Sequence, residues 1–158
     1  MFAALLLVLL GTSCSSDDEG SHSVAAAKDV AKRFHEAVGK GDAAAAAKLA
    51  QVPFRYKGPE RKWDDQAELE KNLAKEVPRI RHLVAGLDEI EAFSREDLEN
   101  GKWPRSRDVP KDRREAEISA LGVLPRGFLV RVFSASKAGY TLVVNPDGDR
   151  MAVQGLDI

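Results

Sequence analysis

Three histidines and a single cysteine are the residues of this chain most suited to chemistry near neutral pH. His35 lies one position beyond the apolar stripe of a predicted helix, so it could border a pocket and act as a base. The simpler interpretation, which the sequence favours, makes His35 a partly exposed helix residue. His22 and His82 stand far apart, so no two histidines have the spacing of metal ligands. We therefore expect neither a metal site nor a cofactor.

Three aromatic side chains are the other candidates for a ligand site. Phe34 lies on the apolar stripe beside His35, whereas Tyr56 and Trp63 flank a short segment between two predicted helices. Together with Phe34, the side chains of His35, Tyr56 and Trp63 could line the mouth of a pocket and orient a ligand. Aromatic residues more often belong to the core, and we favour that interpretation for Tyr56 and Trp63.

A basic segment lies in the second half of the chain. Its cationic residues are Arg105, Arg107, Lys111, Arg113 and Arg114. Their alternation with Asp108 and Asp112 is typical of a solvated face, and a contact with anionic lipid is the alternative. The whole chain carries 24 basic and 25 acidic residues, so its net charge does not favour binding to nucleic acid.

The N-terminus carries the strongest functional signal. Residues 2–10 form an apolar run that is too short to span a bilayer about 30 Å thick but is typical of a secretory signal. Cys14 follows this run, and residues 15–21 are polar and turn-forming, as in a flexible tether. The arrangement resembles a bacterial lipoprotein signal, with Gly11 where that signal usually has leucine and with no Lys or Arg before the apolar run.

This resemblance implies that residues 1–13 are removed as a signal peptide and that Cys14 is lipidated. Residues 14–23 would then be the lipidated cysteine and its tether, and residues 24–158 a single domain. The protein would be anchored by lipid to a bacterial membrane, on the periplasmic or extracellular side of the cell envelope. A simple secretory leader and a buried N-terminal helix are the alternatives. Because Cys14 is the only cysteine, no intramolecular disulfide can form.

Periodic apolar residues predict the first two helices. Over residues 24–38 apolar side chains recur at steps of three and four, which indicates an amphipathic helix. Gly39 and Gly41 offer a left-handed end to it, and Asp42 can cap a second helix over the alanine-rich residues that follow.

The middle of the chain is predicted as a strand, a helix and a second strand. Residues 54–56 favour a short strand, and the third helix should begin at Asp64 or Asp65 and end at Pro78. Residues 83–93 are interpreted as one strand with a bend near Gly86.

The last part of the chain is predicted as a surface excursion followed by sheet. Residues 94–111 are charged and interrupted by glycine and proline, with at most one turn of helix at 95–99 and Trp103 as the only large anchor. A short helix should end at Gly122. Three antiparallel strands follow, at residues 128–134, 140–144 and 151–156. Residues 145–148 have a turn sequence in which the glycine takes a positive φ.

Early helices and late strands predict the α+β class, in which helices cover one face of a curved antiparallel sheet. The order of elements resembles the nuclear transport factor 2-like superfamily, also called SnoaL-like or cystatin-like. The residues that carry the resemblance are 34–42, 49–50, 54–56 and 63–73. It implies a cone-like domain over residues 24–158 with an apolar pocket between the first helix and the sheet, and a homodimer through the sheet.

Steroid isomerases of this superfamily carry a tyrosine on the first helix and an aspartate base after the short strand. Phe34 and residues 56–58 occupy those places here, so neither the hydrogen-bond donor nor the base of that chemistry is present. If the protein is instead an enzyme of the polyketide-cyclase or dehydratase kind, His35 is the best base.

We expect a membrane-tethered, non-catalytic binding or accessory domain that takes a small hydrophobic ligand in an apolar pocket. An enzyme that uses His35 is one alternative. A structural dimerisation module is the other.

Overall fold

The computed structural model describes residues 22–58, 60–84, 86–104, 107–135 and 139–158. Its α-helices are α1 (Val24–Lys40), α2 (Ala43–Leu49), α3 (Gln66–Ile80), α4 (Arg95–Glu99) and α5 (Arg114–Leu121). Short 3-10 helices span Arg81–Leu83 and Lys111–Arg113. Its strands are β1 (Ala50–Tyr56), β2 (Lys62–Trp63), β3 (Glu89–Ser94), β4 (Phe128–Phe133), β5 (Gly139–Asp147) and β6 (Arg150–Asp157). The predicted signal peptide, Cys14, most of the tether and Arg105 lie outside the described residues.

The strands form a six-stranded sheet in the order β2-β1-β6-β5-β4-β3. Strands β3 to β6 pair antiparallel with their neighbours, which confirms the predicted C-terminal hairpins. In contrast, β1 runs parallel to β6, which is possible because a long stretch of chain, and not a hairpin, connects the two strands. Helices packed on this mostly antiparallel sheet confirm the α+β prediction.

The predicted Gly-Asp turn joins α1 to α2. Gly41 adopts a left-handed conformation with φ of 74°, and its amide donates to the carbonyl of Val38 at 2.9 Å. A side chain at this position would strain the turn. Asp42 then caps α2 by accepting a hydrogen bond from the amide of Ala45 at 2.9 Å.

The face of the sheet that α1, α2 and α3 cover is called the inner face. Phe34 is fully buried there among residues of the main apolar core, which include Phe54, Leu69, Leu73, Val130, Leu142 and Val153. The buried stripe of α1 is shifted from the predicted one. Val24 is 43% exposed, whereas Val30 and His35 are buried.

The opposite face, called the outer face, carries a second apolar layer made by α4, α5 and the chain between them. Its buried residues are Leu98, Trp103, Val109, Ile118, Val123, Leu129 and Val143. The indole N–H of Trp103 donates to the Leu98 carbonyl at 2.9 Å. The prediction of a surface excursion over residues 94–111 is therefore wrong, although α4 and the end of α5 at Gly122 are confirmed.

Two predicted boundaries are also wrong. Helix α3 continues through Pro78 to Ile80. Pro78 and Ala74, the residue whose carbonyl loses its helical partner, are both exposed to water, while Ile80 is buried. Residues 83–93 do not form one strand, because Gly86 has φ of 69° and β3 begins only at Glu89.

The turn between β5 and β6 lies later than predicted. β5 extends to Asp147, so only Gly148 and Asp149 connect the two strands. Gly148 has φ of 63°, which confirms the predicted positive φ.

Candidate functional site

The imidazole of His35 is buried between α1, β5 and the segment that contains Gly86. Its Nε2 lies 3.1 Å from the carbonyl oxygen of Gly86, and its Nδ1 lies 2.8 Å from the hydroxyl oxygen of Tyr140. The rings of His35 and Tyr140 are stacked with centroids 5.9 Å apart. The interpretation of His35 as a partly exposed residue is therefore wrong, since only 3% of it is exposed.

A carbonyl oxygen can only accept, so Nε2 carries a hydrogen. In the neutral ring, which burial favours, Nδ1 then accepts from the Tyr140 hydroxyl. Burial lowers the pKa of His35 below 6.5, and the opposing effects of the Gly86 hydrogen bond and the charge of Glu36 are smaller. Burial also raises the pKa of the Tyr140 hydroxyl. Both ring nitrogens of His35 are thus engaged in holding the fold together, which leaves neither to take a proton from a substrate.

Tyr56 and Trp63 belong to the core, as the favoured interpretation predicted. The ring of Trp63 stacks on Phe54 and Tyr56, with centroid distances of 5.4 and 5.3 Å. The Tyr56 hydroxyl donates to a carboxylate oxygen of Glu76 at 2.9 Å. Burial, together with this hydrogen bond, raises the pKa of Tyr56 to about 12. Tyr56 and Trp63 therefore hold β1 and β2 against α3.

The cavity between α1 and the sheet is too small for the predicted ligand. Phe34 lines it, together with residues such as Val38, Tyr140 and Leu156, and its volume is about 10 Å³. That is close to the minimum for one water molecule and far below the volume of a ligand pocket. Of the four predicted ligand residues, only Phe34 lines this cavity, and the structure does not bring Tyr56 or Trp63 to it.

A larger cavity, called the outer-face cleft, lies between α5 and the outer face of the sheet and has a volume of about 270 Å³. Its apolar lining consists of Ala120, Leu121, Val143, Gly155 and Leu156. Its polar and charged lining includes Arg55, Arg107, Glu117, Thr141 and Asp157. An apolar surface with a few polar groups at its edge is the usual construction of a small-molecule site.

Strand register explains how the outer-face cleft is built. Val143 pairs with Gly155, which in turn pairs with Arg55, so a row of outward residues crosses three strands. A second row is formed by Arg131, Thr141 and Asp157 on β4, β5 and β6. This second row leads into an adjoining cavity of about 220 Å³, which Arg107 also lines.

The arginines that line the outer-face cleft and its adjoining cavity make different contacts. Arg55 donates to the main-chain carbonyls of Ser119 and Ala120, at 3.3 and 2.9 Å, and so binds the C-terminal end of α5. Gly122 follows with φ of 80°, and a Cβ there would overlap the Arg55 guanidinium. Arg131 donates to the Thr141 hydroxyl at 3.3 Å. These contacts hold the walls of the cleft in place.

Arg107 is the least constrained of these arginines. It is 3.4 Å from a carboxylate oxygen of Glu117, and its guanidinium lies 5.9 Å from the Trp103 ring. Its side chain is 38% exposed. Among its basic neighbours in sequence, Lys111 and Arg113 are exposed, whereas Arg114 donates to the carbonyls of Val109 and Glu99. In the basic segment, Lys111 and Arg113 are thus exposed to solvent, Arg114 supports the fold, and Arg107 lines the cleft.

The outer-face cleft was not predicted from the sequence. Its floor comes from alternate residues of β5 and β6, which were predicted as strands but not assigned a face. Arg107 was noted only as part of a basic segment. The alternation of Thr141 and Val143 with Tyr140, Leu142 and Val144 along β5 was a sequence signal that Thr141 and Val143 share a face.

No protein-family model matches the sequence, and no curated protein matches it. Among solved structures, the chain is similar to a protein from Sphaerobacter thermophilus, at 16% identity over 84% of this chain and 93% of that one, with a TM-score of 0.41. It is also similar to an NTF2-like protein of unknown function from Cytophaga hutchinsonii ATCC 33406, at 10% identity over 83% and 86% of the two chains, with a TM-score of 0.38. A third similar structure, Rd1NTF2_04 with long sheet, has 19% identity over 83% and 97% of the chains and a TM-score of 0.37. These likenesses concern the arrangement of helices and strands alone.

Proposed function

We propose that this protein is a non-catalytic binding domain that is tethered to a membrane through Cys14 and takes a small amphipathic molecule in the outer-face cleft. The observation that carries the proposal is the cleft itself, with its apolar floor and charged rim, on a domain whose inner cavity measures only about 10 Å³. The volume of the cleft, about 270 Å³, lies just below the usual range for drug-sized ligands. A small ligand is therefore expected.

Non-catalytic binding is favoured over an enzyme of the polyketide-cyclase kind by the position of His35. That enzyme would need His35, Tyr56 or a carboxylate such as Asp64 to meet at one cavity. The ring nitrogens of His35, the best base, bind Tyr140 and Gly86. The Tyr56 hydroxyl binds Glu76. The outer-face cleft lies on the opposite face of the sheet from His35. The proposed ligand would therefore meet Arg107, Thr141 and the apolar floor rather than an imidazole.

The tether would join the domain near the turn between β5 and β6. His22, at the end of the tether, lies 3.1 Å from the Gly148 carbonyl in the β5–β6 turn. Thr141, at the cleft, is on β5 about 20 Å from that turn, at the usual rise of a strand. If Cys14 anchors the chain, the eight residue steps to His22 reach at most about 29 Å. That reach exceeds the distance from the turn to Thr141, so the cleft could take its ligand from the aqueous side or at the membrane surface.

Filling the cleft should abolish binding. Ala120 is exposed and lines the cleft, so Ala120→Trp places an indole where the ligand would lie. Ala116→Trp is the matched control, because Ala116 is exposed on the same helix and is not part of the lining. We expect 1-octanol below its solubility limit, and octanoate or octylammonium below their micelle concentrations, to shift the amide resonances of Thr141 and Val143 in the parent protein and in Ala116→Trp. Equal binding by Ala120→Trp, or no binding by the parent, would contradict the proposal.

Cys14→Ser should release the protein from the membrane. Without the thiol no lipid can be attached, and the described residues contain no helix long and apolar enough to cross a membrane. The measurement is fractionation of cells that express the parent or the variant, followed by a wash in high salt. Ser13→Ala is the control, because it changes the neighbouring residue and keeps the thiol. A variant that stays in the membrane fraction would show that Cys14 is not the anchor.

A structural dimerisation module is the second candidate, because the inner face is filled. Dimerisation through the sheet would require the outer face, where α4 and α5 already cover Leu129 and Val143. The part of the outer face that α4 and α5 leave uncovered includes the cleft. Sedimentation velocity at micromolar concentration distinguishes the two functions: a dimer that Ala120→Trp dissociates would favour the module over the binding domain.

A further inference from the structure

We propose that the ligand of the outer-face cleft is an amphipathic carboxylate whose head group is bound by Arg107 and whose short hydrocarbon chain lies on the apolar floor. This inference rests on the proposed function and adds the chemical class of the ligand. Three features carry it. They are the balance of charge among the polar side chains at the rim of the cleft, the weak contact of Arg107 with Glu117, and the apolar floor that Leu121, Val143 and Gly155 form.

The charge at the rim favours an anion. Three guanidinium groups line the cleft and its adjoining cavity, those of Arg55, Arg107 and Arg131. Two carboxylates, Glu117 and Asp157, line the same surface. Three guanidinium groups and two carboxylates leave one positive charge in excess at the rim, although Glu117 is paired with Arg107. A planar guanidinium binds a carboxylate through two parallel hydrogen bonds, which adds geometric selectivity to the attraction.

Arg107 is the arginine that can turn to a ligand at low cost. Its contact with Glu117 is long, at 3.4 Å, and both side chains are more than one third exposed, so the pair contributes little to stability. Trp103 is 9% exposed and bonded to the Leu98 carbonyl, so it offers a fixed surface against which the guanidinium lies. Arg55, by contrast, would have to leave the end of α5.

The apolar floor determines the hydrocarbon part of the ligand. Val143 and Gly155 lie side by side on β5 and β6, and Leu121 of α5 faces the same cavity. Gly155 has no side chain, and a Cβ there would approach the Cβ of Val143 to 3.2 Å, so the two residues lie in close contact on the floor. A cavity of about 270 Å³ suits a chain of about eight carbons rather than a long acyl chain.

The carboxylate of Asp157 would repel an anionic head group, so removing its charge tests whether the ligand is an anion or a cation. It pairs with Thr141 in the sheet and lines both cavities. Asp157→Asn removes one negative charge without a change of shape, so octanoate should bind several-fold more tightly. A cationic ligand would respond in the opposite direction.

The experiment compares three probes that share one eight-carbon chain: octanoate, 1-octanol and octylammonium. Dissociation constants are measured by titration calorimetry for the full chain without its predicted signal, together with the amide shifts of Thr141 and Val143. Octanoate should bind at least about tenfold more tightly than the other two, as expected for a charge-assisted hydrogen bond. Arg107→Gln should remove that advantage and leave 1-octanol unchanged. Arg113→Gln, which removes an exposed charge outside the cleft, should keep it.

The outcomes separate the two proposals. Equal affinities for the three probes, or tighter binding of octylammonium, would overturn the carboxylate proposal and leave the binding function in place. A loss of 1-octanol binding in Arg107→Gln, equal to the loss of octanoate, would show that Arg107 only shapes the cleft and would also overturn it. Absence of binding by all three probes would overturn the proposed function and this inference together.

Discussion

Phe34→Ala should lower the free energy of unfolding by about 3–5 kcal/mol, the usual cost of removing a buried phenyl ring. Phe34 is 0% exposed and lies in the middle of α1, where it packs in the main core of the inner face. It also lines the small cavity beside Tyr140 and Leu156, so its removal would enlarge an existing void. A loss of this size is a large part of the stability of an ordinary domain.

The measurement is equilibrium unfolding in urea for the parent and for two variants of α1. Lys32→Ala is the control, because Lys32 is exposed on the same helix and alanine is the best helix former. We expect the midpoint of Lys32→Ala to lie close to that of the parent and the midpoint of Phe34→Ala to fall far below it. Similar midpoints for the two variants would mean that α1 does not pack through Phe34.

Local signals were sufficient to predict most of the helices and strands. The apolar period of α1, the Gly41-Asp42 turn and the β-branched segments of β4 and β5 each specify their structure over a few residues. Asp65, one of the two predicted caps, accepts a hydrogen bond from the amide of Glu68 at 3.0 Å. These features depend on neighbours in the sequence, which is why the α+β class could be predicted without the structure.

The second apolar layer could not be predicted in this way, because its members are far apart in the sequence and follow no period. Trp103, Val109 and Ile118 meet only where the chain crosses the outer face. A buried amide network fixes the end of this crossing. Asn145 donates to the carbonyl of Gly122 at 2.8 Å and accepts from the amide of Leu124 at 3.0 Å. Such long-range contacts decide where the cleft forms, and no local pattern encodes them.

The surroundings of His35 also depend on long-range contacts. His35 is adjacent to Phe34 in sequence, which suggested the border of a pocket. Its partners Tyr140 and Gly86 come from segments 105 and 51 residues away, and they engage both ring nitrogens. Whether a histidine on an apolar face is a base or a buried structural residue depends on these distant partners.

His35→Ala should lower the free energy of unfolding by about 2–4 kcal/mol, because it removes a buried side chain and leaves the hydroxyl of Tyr140 without its partner. Tyr140 is 4% exposed, whereas Gly86 is exposed and its carbonyl can bind water instead. His35→Gln should cost less, since its amide can accept from one group and donate to the other. Urea unfolding at pH 7.5 measures both effects. A midpoint for His35→Ala equal to that of the parent would show that the pair does not support the fold.

The same contacts predict a pH dependence with a definite sign. Because burial lowers the pKa of His35 in the folded protein, the unfolded chain binds a proton first as the pH falls below about 6.5. Stability is therefore complete above that pH and decreases below it, by up to about 1.4 kcal/mol per pH unit until the folded protein is also protonated. His35→Gln cannot titrate and should lose this slope between pH 6.5 and 5, whereas His82→Gln, at an exposed position, should keep it. If His35→Gln kept this slope and His82→Gln lost it, the titrating group would not be His35. That result would contradict a neutral, buried imidazole at His35.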